Sequence, residues 1–152
     1  MAKFGGQFLK ATTSTTVGVA SLEAASASPR RVKLCELVLG SDAGTLGTSN
    51  FRWDVNRSTT TATGTTVTPN ALDPADTTLT AIIKSNLTVQ GTNTAGAIPL
   101  SIPLSQQATF RWVANPGFEI VIPGSASNGL HVNTPVAGNT PSAAGTIIAE
   151  EQ

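Results

Sequence analysis

The tripeptide Phe-Arg-Trp occurs twice in this chain, as Phe51-Arg52-Trp53 and as Phe110-Arg111-Trp112. The two copies hold both tryptophans and two of the five phenylalanines. Because alternate side chains of a strand face opposite sides, each copy puts two aromatic rings on one face and a guanidinium on the other. This alternation predicts two half-buried strands, with the aromatic rings in the core and Arg52 and Arg111 outside.

The composition favours strands and turns over helices. Charged residues make up only 12% of the chain, about half the usual share of roughly 25%, and Thr, Ser, Gly, Asn and Pro take their place. Turn residues separate about eight apolar segments, and the length of 152 residues suits one domain. The predicted fold class is therefore all-β, a β-sandwich, with a jelly roll preferred to a barrel and at most one short helix.

The first 28 residues differ from the rest of the chain. Residues 1–28 are rich in Thr, Ser, Ala and Gly and contain few apolar anchors. Because such a segment buries little apolar surface, we expect a flexible, extended arm that orders on a partner, with one short strand near Val17–Leu22. Residues 29–152 are expected to form a single β-sandwich domain.

Two apolar segments of this domain predict strands with distinct positions in a sheet. Val32 and Leu34 face one way, whereas Leu37 and Leu39 face the other. This pattern suits either a central strand covered on both sides or a strand whose facing switches at a bulge. In Ile98–Leu104, prolines remove two of the three N–H donors on one lateral side, which predicts an edge strand.

The second Phe-Arg-Trp copy begins a predicted β-hairpin. Asn115-Pro116-Gly117 follows it, with Pro and Gly at consecutive positions as a type II turn prefers. Phe118, Ile120 and Ile122 then alternate as the return strand. We therefore expect two neighbouring strands that pair with each other.

Helix and strand both remain open over residues 74–84. Asp73-Pro74-Ala75-Asp76 offers a helix cap, a proline suited to the first helical position and an acidic group that favours the helix dipole. Apolar residues follow at helical spacing. A strand over 79–89 competes with this helix, because Thr and Ile dominate that segment.

The chain offers little material for catalysis. His131, the only histidine, alternates outward in its strand, which favours a surface or interface position over a metal site. Cys35, the only cysteine, is expected to act as a small buried hydrophobe. Asp73 and Asp76 lack the alternating oxygen ligands of a calcium loop, so capping is the preferred interpretation. We expect no enzyme activity, no metal and no cofactor.

Charge and hydropathy limit the classes of partner. Nine basic and nine acidic side chains give a net charge of zero, without the basic patch that nucleic-acid binding usually requires. No stretch approaches the roughly 20 apolar residues of a transmembrane helix, and the N-terminus lacks the apolar run of a signal peptide. We expect a protein made in a cytoplasm that binds neither nucleic acid nor membrane.

Three stretches of the chain resemble small structural proteins of tailed bacteriophages. They are Arg111–Pro123, Val32–Asp42 and Thr68–Asp76. The chain is similar there to capsid decoration, or cement, proteins, over roughly Arg30 to Pro123. This resemblance implies a β-sandwich that assembles, often as a homotrimer, on the outside of a capsid, with the major capsid protein as its partner and without catalytic residues.

The expected function is that of a virion structural protein that decorates and stabilises the capsid surface. The alternatives are another phage component, such as a tail, fibre-base or minor capsid protein, and a carbohydrate-binding or adhesin sandwich that uses Trp53, Trp112 or His131. The arm and the outward arginines would contact capsid or neighbouring subunits. The expected contact residues are Lys3, Phe4, Phe8, Leu9, Lys10, Arg52 and Arg111.

Overall fold

A computed structural model describes residues 1–10, 18–42, 50–76, 79–134 and 142–152. Within these ranges the chain forms twelve strands and no helix. The strands are β1 Ala2–Lys10, β2 Gly18–Glu23, β3 Val32–Ser41, β4 Asn50–Ser58, β5 Thr63–Val67, β6 Asn70–Ala71, β7 Ile82–Val89, β8 Leu100–Ser105, β9 Phe110–Val113, β10 Ile120–Ile122, β11 Gly129–Asn133 and β12 Ala143–Glu151.

The strands form two antiparallel sheets that enclose one core. Sheet I has the order β10-β3-β12-β1-β6, with β9 also paired to β3, and sheet II has the order β5-β7-β2-β11-β4-β8. Side chains of both sheets meet in a single apolar cluster, including Phe4 and Leu37 from sheet I and Trp53 and Ile83 from sheet II. Full burial of each large apolar side chain stabilises the fold by about 1.5–3 kcal/mol. The predicted all-β sandwich is confirmed, while its jelly-roll topology stays a prediction.

Residues 1–10 and 18–28 do not form the flexible arm that the sequence predicted. β1 pairs with β12 over all nine of its residues, in the interior of sheet I. Phe4 and Phe8 of β1 lie in the core, and β2 is buried in the interior of sheet II. Residues 11–17, with the first residue of the predicted strand near Val17–Leu22, lie outside the described residues.

Small residues explain why this segment looked weakly apolar. A Cβ atom on Gly6 would lie 2.6 Å from Ile83 Cδ1, and one on Gly145 would lie 2.5 Å from Phe8 Cζ. The absent side chains allow β1 to approach β7 across the sandwich and Phe8 to pack over β12. Small residues lower the apolar content of this segment, but in the fold they permit close packing.

β3 switches its buried face at a bulge, the second of the two interpretations of its pattern. Along β12, Ile148 pairs with Glu36, but the next residue, Ala149, pairs with Leu34. Cys35 is therefore the extra residue of β3. One extra residue inverts the alternation, so that Val32 and Leu34 before it and Leu37 and Leu39 after it face the core.

The prediction of a β-hairpin over 110–122 is wrong. β9 and β10 both pair with β3, one after the other along the same edge, and not with each other. The residues between them, 114–119, form a loop that leaves this edge and returns to it; we call it loop 114–119. It contains the predicted turn, because the Phe118 N–H donates to the Asn115 carbonyl at 2.9 Å and Gly117 has a φ of 87°, as a type II turn requires.

β8 is an edge strand of sheet II, as its prolines predicted. Among the described residues it pairs with β4 alone. Pro103 lies opposite Arg52 in this pair. Because proline has no N–H to donate, the other side of β8 cannot support a continuous ladder with a further strand.

Segment 74–84, for which helix and strand were both predicted as alternatives, contains a turn followed by a strand. The Asp73 carboxylate accepts a hydrogen bond of 2.9 Å from the Ala75 N–H, so the predicted cap is present but caps a turn. β7 begins at Ile82, while residues 77–78 lie outside the described residues. The described ranges contain no helix that is long and apolar enough to cross a membrane.

The two Phe-Arg-Trp copies occupy unequal positions. Trp53 is 0% exposed, because β4 lies between β11 and β8 and faces the core. Trp112 is only partly buried against the core, and Phe110 is 37% exposed, since β9 lies at the edge of sheet I. Phe110 faces inward as predicted, because it pairs with the core residue Leu39, but it is not fully buried. The Phe51 side chain lies outside the described part of the structure.

Candidate interaction surface

An apolar patch lies on the outer face of sheet I, next to loop 114–119. Phe118 is 79% exposed, and Val113 and Leu72 are exposed as well. A groove of about 460 Å³ crosses the sheet here, with Val113 and Pro116 on one side and Leu72 on the other. We call it the sheet I groove; Ile148 lines its floor.

Local backbone geometry builds the wall of this groove. The Ala114 N–H donates to the Cys35 carbonyl at 2.9 Å, so loop 114–119 leaves the edge opposite the β3 bulge. Within the loop, the Gly117 N–H donates to the Glu119 carboxylate at 3.1 Å. The bulge and the loop thus form one unit. Pro116 and Glu119 of this loop line the groove, and Phe118 lies between them in the chain.

Charged side chains surround the groove with both signs. The Arg111 guanidinium donates two hydrogen bonds to Glu36, at 2.6 and 2.8 Å, and this contact holds the Glu36 pKa below its usual value. Hydrogen bonds from the backbone N–H groups of Glu119 and Gly117 likewise lower the Glu119 pKa. Lys3 is exposed on the opposite side. The apolar floor therefore has a charged border, which is typical of protein interaction surfaces.

Cys35 contributes no reactive thiolate to this groove. Burial raises its pKa, and the nearby carboxylates of Glu150 and Glu119 raise it further. The thiol therefore stays protonated at neutral pH, whereas nucleophilic cysteines need a lowered pKa. Cys35 is only partly buried, so the predicted role of a buried hydrophobe is only partly met.

Four of the seven predicted contact residues have accessible side chains, but they are spread over the surface. Lys3 and Arg111 lie on opposite sides of the sheet I groove. Arg52 belongs to sheet II, where its guanidinium lies 3.1 Å from the Asp54 carboxylate. Leu9 is about half exposed on β1. Of the seven predicted contact residues, the structure therefore places only Lys3 and Arg111 at the same groove.

The other three predicted contact residues are buried. Phe4 and Phe8 lie in the core. The Lys10 ammonium donates to the carbonyls of Gly18 and Leu87, and burial lowers its pKa. These side chains cannot reach a partner in the folded protein, so their assignment as contacts is corrected.

The outer face of sheet II carries a buried polar cluster. Glu23 accepts hydrogen bonds from the Ser21 hydroxyl at 2.7 Å and the Ala62 N–H at 2.8 Å, and its carboxylate lies 2.8 Å from the Lys84 ammonium. Two segments, 59–62 and 90–93, cover the cluster and pair with each other between Thr59 and Thr92; we call them the cover segments. The chain itself therefore closes this part of the face.

His131 lies under the cover segments, so the prediction of a surface histidine is wrong. It is 0% exposed, and its Nδ1 lies 3.0 Å from Asn93 Oδ1. A Cβ atom on Gly91 would lie 2.7 Å from His131 Cε1, which shows how closely the cover packs. Burial lowers the His131 pKa, although the Glu23 carboxylate opposes this effect. The outward alternation was correct, but the sequence did not show that a loop covers this face.

The arrangement of these polar groups does not form a nucleophile and base pair. The Ser21 hydroxyl donates to Glu23, whereas an activated serine would donate to the imidazole. No group of three or more His, Cys, Asp or Glu side chains in the described ranges could hold a metal ion. The cluster is best explained as the anchor of the cover segments.

Sequence reasoning missed the residues that form the sheet I groove. Phe118 was assigned to a paired return strand, and Leu72 and Val113 were not singled out. The useful signal was the type II turn directly before Phe118, because a residue that follows such a turn need not continue a strand.

Comparison with known proteins identifies no relative. No protein-family model matches the chain, and neither a curated protein nor a solved structure matches it. The resemblance to capsid decoration proteins therefore stays a prediction.

Proposed function

We propose that this chain is a virion structural protein that decorates and stabilises the exterior of a bacteriophage capsid by binding capsid subunits. The supporting observation is the exposed apolar patch at the sheet I groove. Phe118, the most exposed residue of this patch, falls within Arg111–Pro123, the stretch that carries the resemblance to decoration proteins.

The two outer faces support binding through sheet I. The cover segments close the part of the outer face of sheet II around Glu23 and His131, which are 0% exposed. The outer face of sheet I instead presents apolar side chains beside Lys3 and Arg111. Because exposed apolar patches with a charged border mark protein contacts, sheet I is the face through which the protein assembles, with capsid subunits or with further copies of itself.

The first experiment measures whether the protein belongs to virions. We expect mass spectrometry of purified particles to find many copies per particle, and we expect the isolated protein to co-sediment with capsids that lack it. Particles without this protein, together with a failure to co-sediment, would contradict the proposal. Deletion of residues 1–16 is an unsuitable test, because it removes β1 from the interior of sheet I.

The alternative functions give different results. A tail, fibre-base or minor capsid protein would be present in few copies, and labelling followed by electron microscopy would locate it away from the capsid surface. A carbohydrate-binding sandwich needs accessible aromatic rings, but Trp53 and His131 are buried. Glycan binding that is lost in Trp112→Ala would favour this alternative.

A further inference from the structure

We propose that the sheet I groove receives the Phe118 side chain of a second copy of this chain. The inference goes beyond the proposed function, because two copies can bind each other without a capsid. It assigns the groove to contacts between copies and leaves the rest of the outer face of sheet I for capsid subunits.

The first observation is the fixed presentation of Phe118. Its ring is 79% exposed. The hydrogen bond to Asn115 and the positive φ of Gly117 fix the turn, and the Gly117 N–H also binds the Glu119 carboxylate. Because the loop is already ordered, the ring can dock with little loss of conformational entropy.

The second observation is an apolar groove on the same patch. Leu72, Val113, Pro116 and Ile148 line a volume of about 460 Å³ that is open to solvent. An aromatic side chain is the occupant that removes most apolar surface from water in such a site. The exposed ring and the groove thus have matching chemistry.

The third observation is the distribution of charge. Three carboxylates line the groove. Glu36 is paired with Arg111, and Glu119 accepts a hydrogen bond from the Gly117 N–H of its own loop. Glu150 lies opposite Lys3 in the pairing of β1 with β12, and its carboxylate has the Lys33 ammonium at 3.9 Å. Lys3 makes no ion pair within the described residues. A loop that enters the groove from a second copy carries Glu119 directly beside Phe118. This negative charge matches Lys3 on the far wall, which favours a copy of this loop over an unrelated apolar segment.

The shared location of ring and groove permits closed assemblies. If two copies exchange Phe118 reciprocally, the contact is isologous and gives a dimer. If each copy donates to the next, the contact is heterologous and closes as a ring when the rotation allows it. Both arrangements use the same pairs, Phe118 with the groove and Glu119 with Lys3.

Sedimentation velocity of the purified protein at increasing concentration tests the contact without capsids. We expect the wild type to associate reversibly, and we expect Phe118→Ser to weaken association at least tenfold. Val89→Ser is the matched control, because Val89 is also an exposed apolar residue but lies on sheet II, and it should leave association unchanged. A wild type that remains monomeric throughout, or Phe118→Ser that associates equally well, would overturn the inference.

A charge exchange tests the pairing of Lys3 with Glu119. Lys3→Glu and Glu119→Lys should each weaken association, and the double variant should restore it. No recovery in a folded double variant would overturn this pairing. If Glu119→Lys does not fold, association of the wild type should still weaken as salt is added, and salt-independent association would reject the pairing.

The results separate this inference from the proposed function. Self-association without capsid binding would reject capsid decoration alone. A monomeric protein that binds capsids would reject the groove contact alone.

Discussion

The two sheets of this sandwich differ in what covers their outer faces. On sheet II, Ser21, Glu23 and His131 are fully buried beneath the cover segments. On sheet I, the outer face carries the groove, which no described segment covers. Around Ser21, Glu23 and His131, sheet II thus has packing on both sides, whereas the described part of sheet I has packing on one side of the groove strands.

This difference teaches that an outward position and an exposed position are separate properties. His131 and Lys3 both lie on the face of their strand that points away from the protein core. His131 is buried and Lys3 is exposed, because the cover segments cross sheet II at His131, whereas no described segment crosses sheet I at Lys3. Alternation reports the side of a strand, and the path of the loops decides what lies on that side.

The largest expected effect compares the two tryptophans. Trp53→Ala should lower the free energy of unfolding by about 3–5 kcal/mol, because it leaves a cavity in the core of sheet II. Trp112→Ala should cost clearly less, since Trp112 is already partly exposed at the edge of sheet I. Urea denaturation measures both values, and equal costs would contradict the unequal burial of the two copies.

The next effect concerns the buried ion pair of sheet II. Glu23→Ala should lower the free energy of unfolding by about 2–4 kcal/mol, because it leaves the Lys84 ammonium and the Ala62 N–H without their partner. A double variant, Glu23→Leu with Lys84→Met, should recover part of this loss, because it leaves no unpaired charge at position 84. Thermal denaturation of the three proteins checks this; an unaffected Glu23→Ala would show that the cluster does not hold the cover segments.

The free energy of unfolding should depend on pH through the buried side chain of His131. Burial lowers the folded-state pKa of His131 below 6.5, so the unfolded state binds the proton first. Stability from this group is complete above about pH 6.5 and is lost as the pH falls toward the folded pKa. Glu23 and Lys84 are the charged groups that face His131.

Denaturation of the wild type and of His131→Gln at several pH values checks this effect. The variant should lose the pH dependence just below 6.5. Glu36, Glu119 and Glu151 have lowered pKa values, so their contribution disappears only below about pH 4.5, in both proteins. Identical curves near pH 6 would contradict the assignment to His131.

The smallest effect is expected on the open face. Arg111→Ala removes a bidentate contact with Glu36, but the Arg111 side chain is 65% exposed. Solvent screens such a pair, so the unfolding midpoint should change by little more than the error of measurement. A large loss of stability would show that the outer face of sheet I is less open than the structure indicates.

The sequence predicted those parts of the fold that follow from backbone chemistry. The prolines of β8 marked an edge, the reversed alternation of β3 allowed a bulge, and Asn115-Pro116-Gly117 formed a type II turn. Each of these depends on a few adjacent residues. They were predictable because the physical cause lies within the segment itself.

Predictions that depended on distant partners were less successful. The arm of residues 1–28 proved to contain β1, which is paired with β12 from the other end of the chain. The predicted hairpin failed because β9 and β10 pair with β3. Of the groove, the sequence indicated Lys3 and Arg111 but not Phe118, since a groove forms between strands that are remote in the chain.

By itself, the sequence determined that this protein is all-β, where several of its strands turn or meet an edge, and on which side of a strand its aromatic and charged residues lie. These properties follow from dihedral preferences, from missing N–H donors and from alternation. Only the tertiary structure decided which outer face is covered. It buries His131 and Glu23 under loops and leaves Phe118 beside an open groove, because burial depends on where the rest of the chain passes.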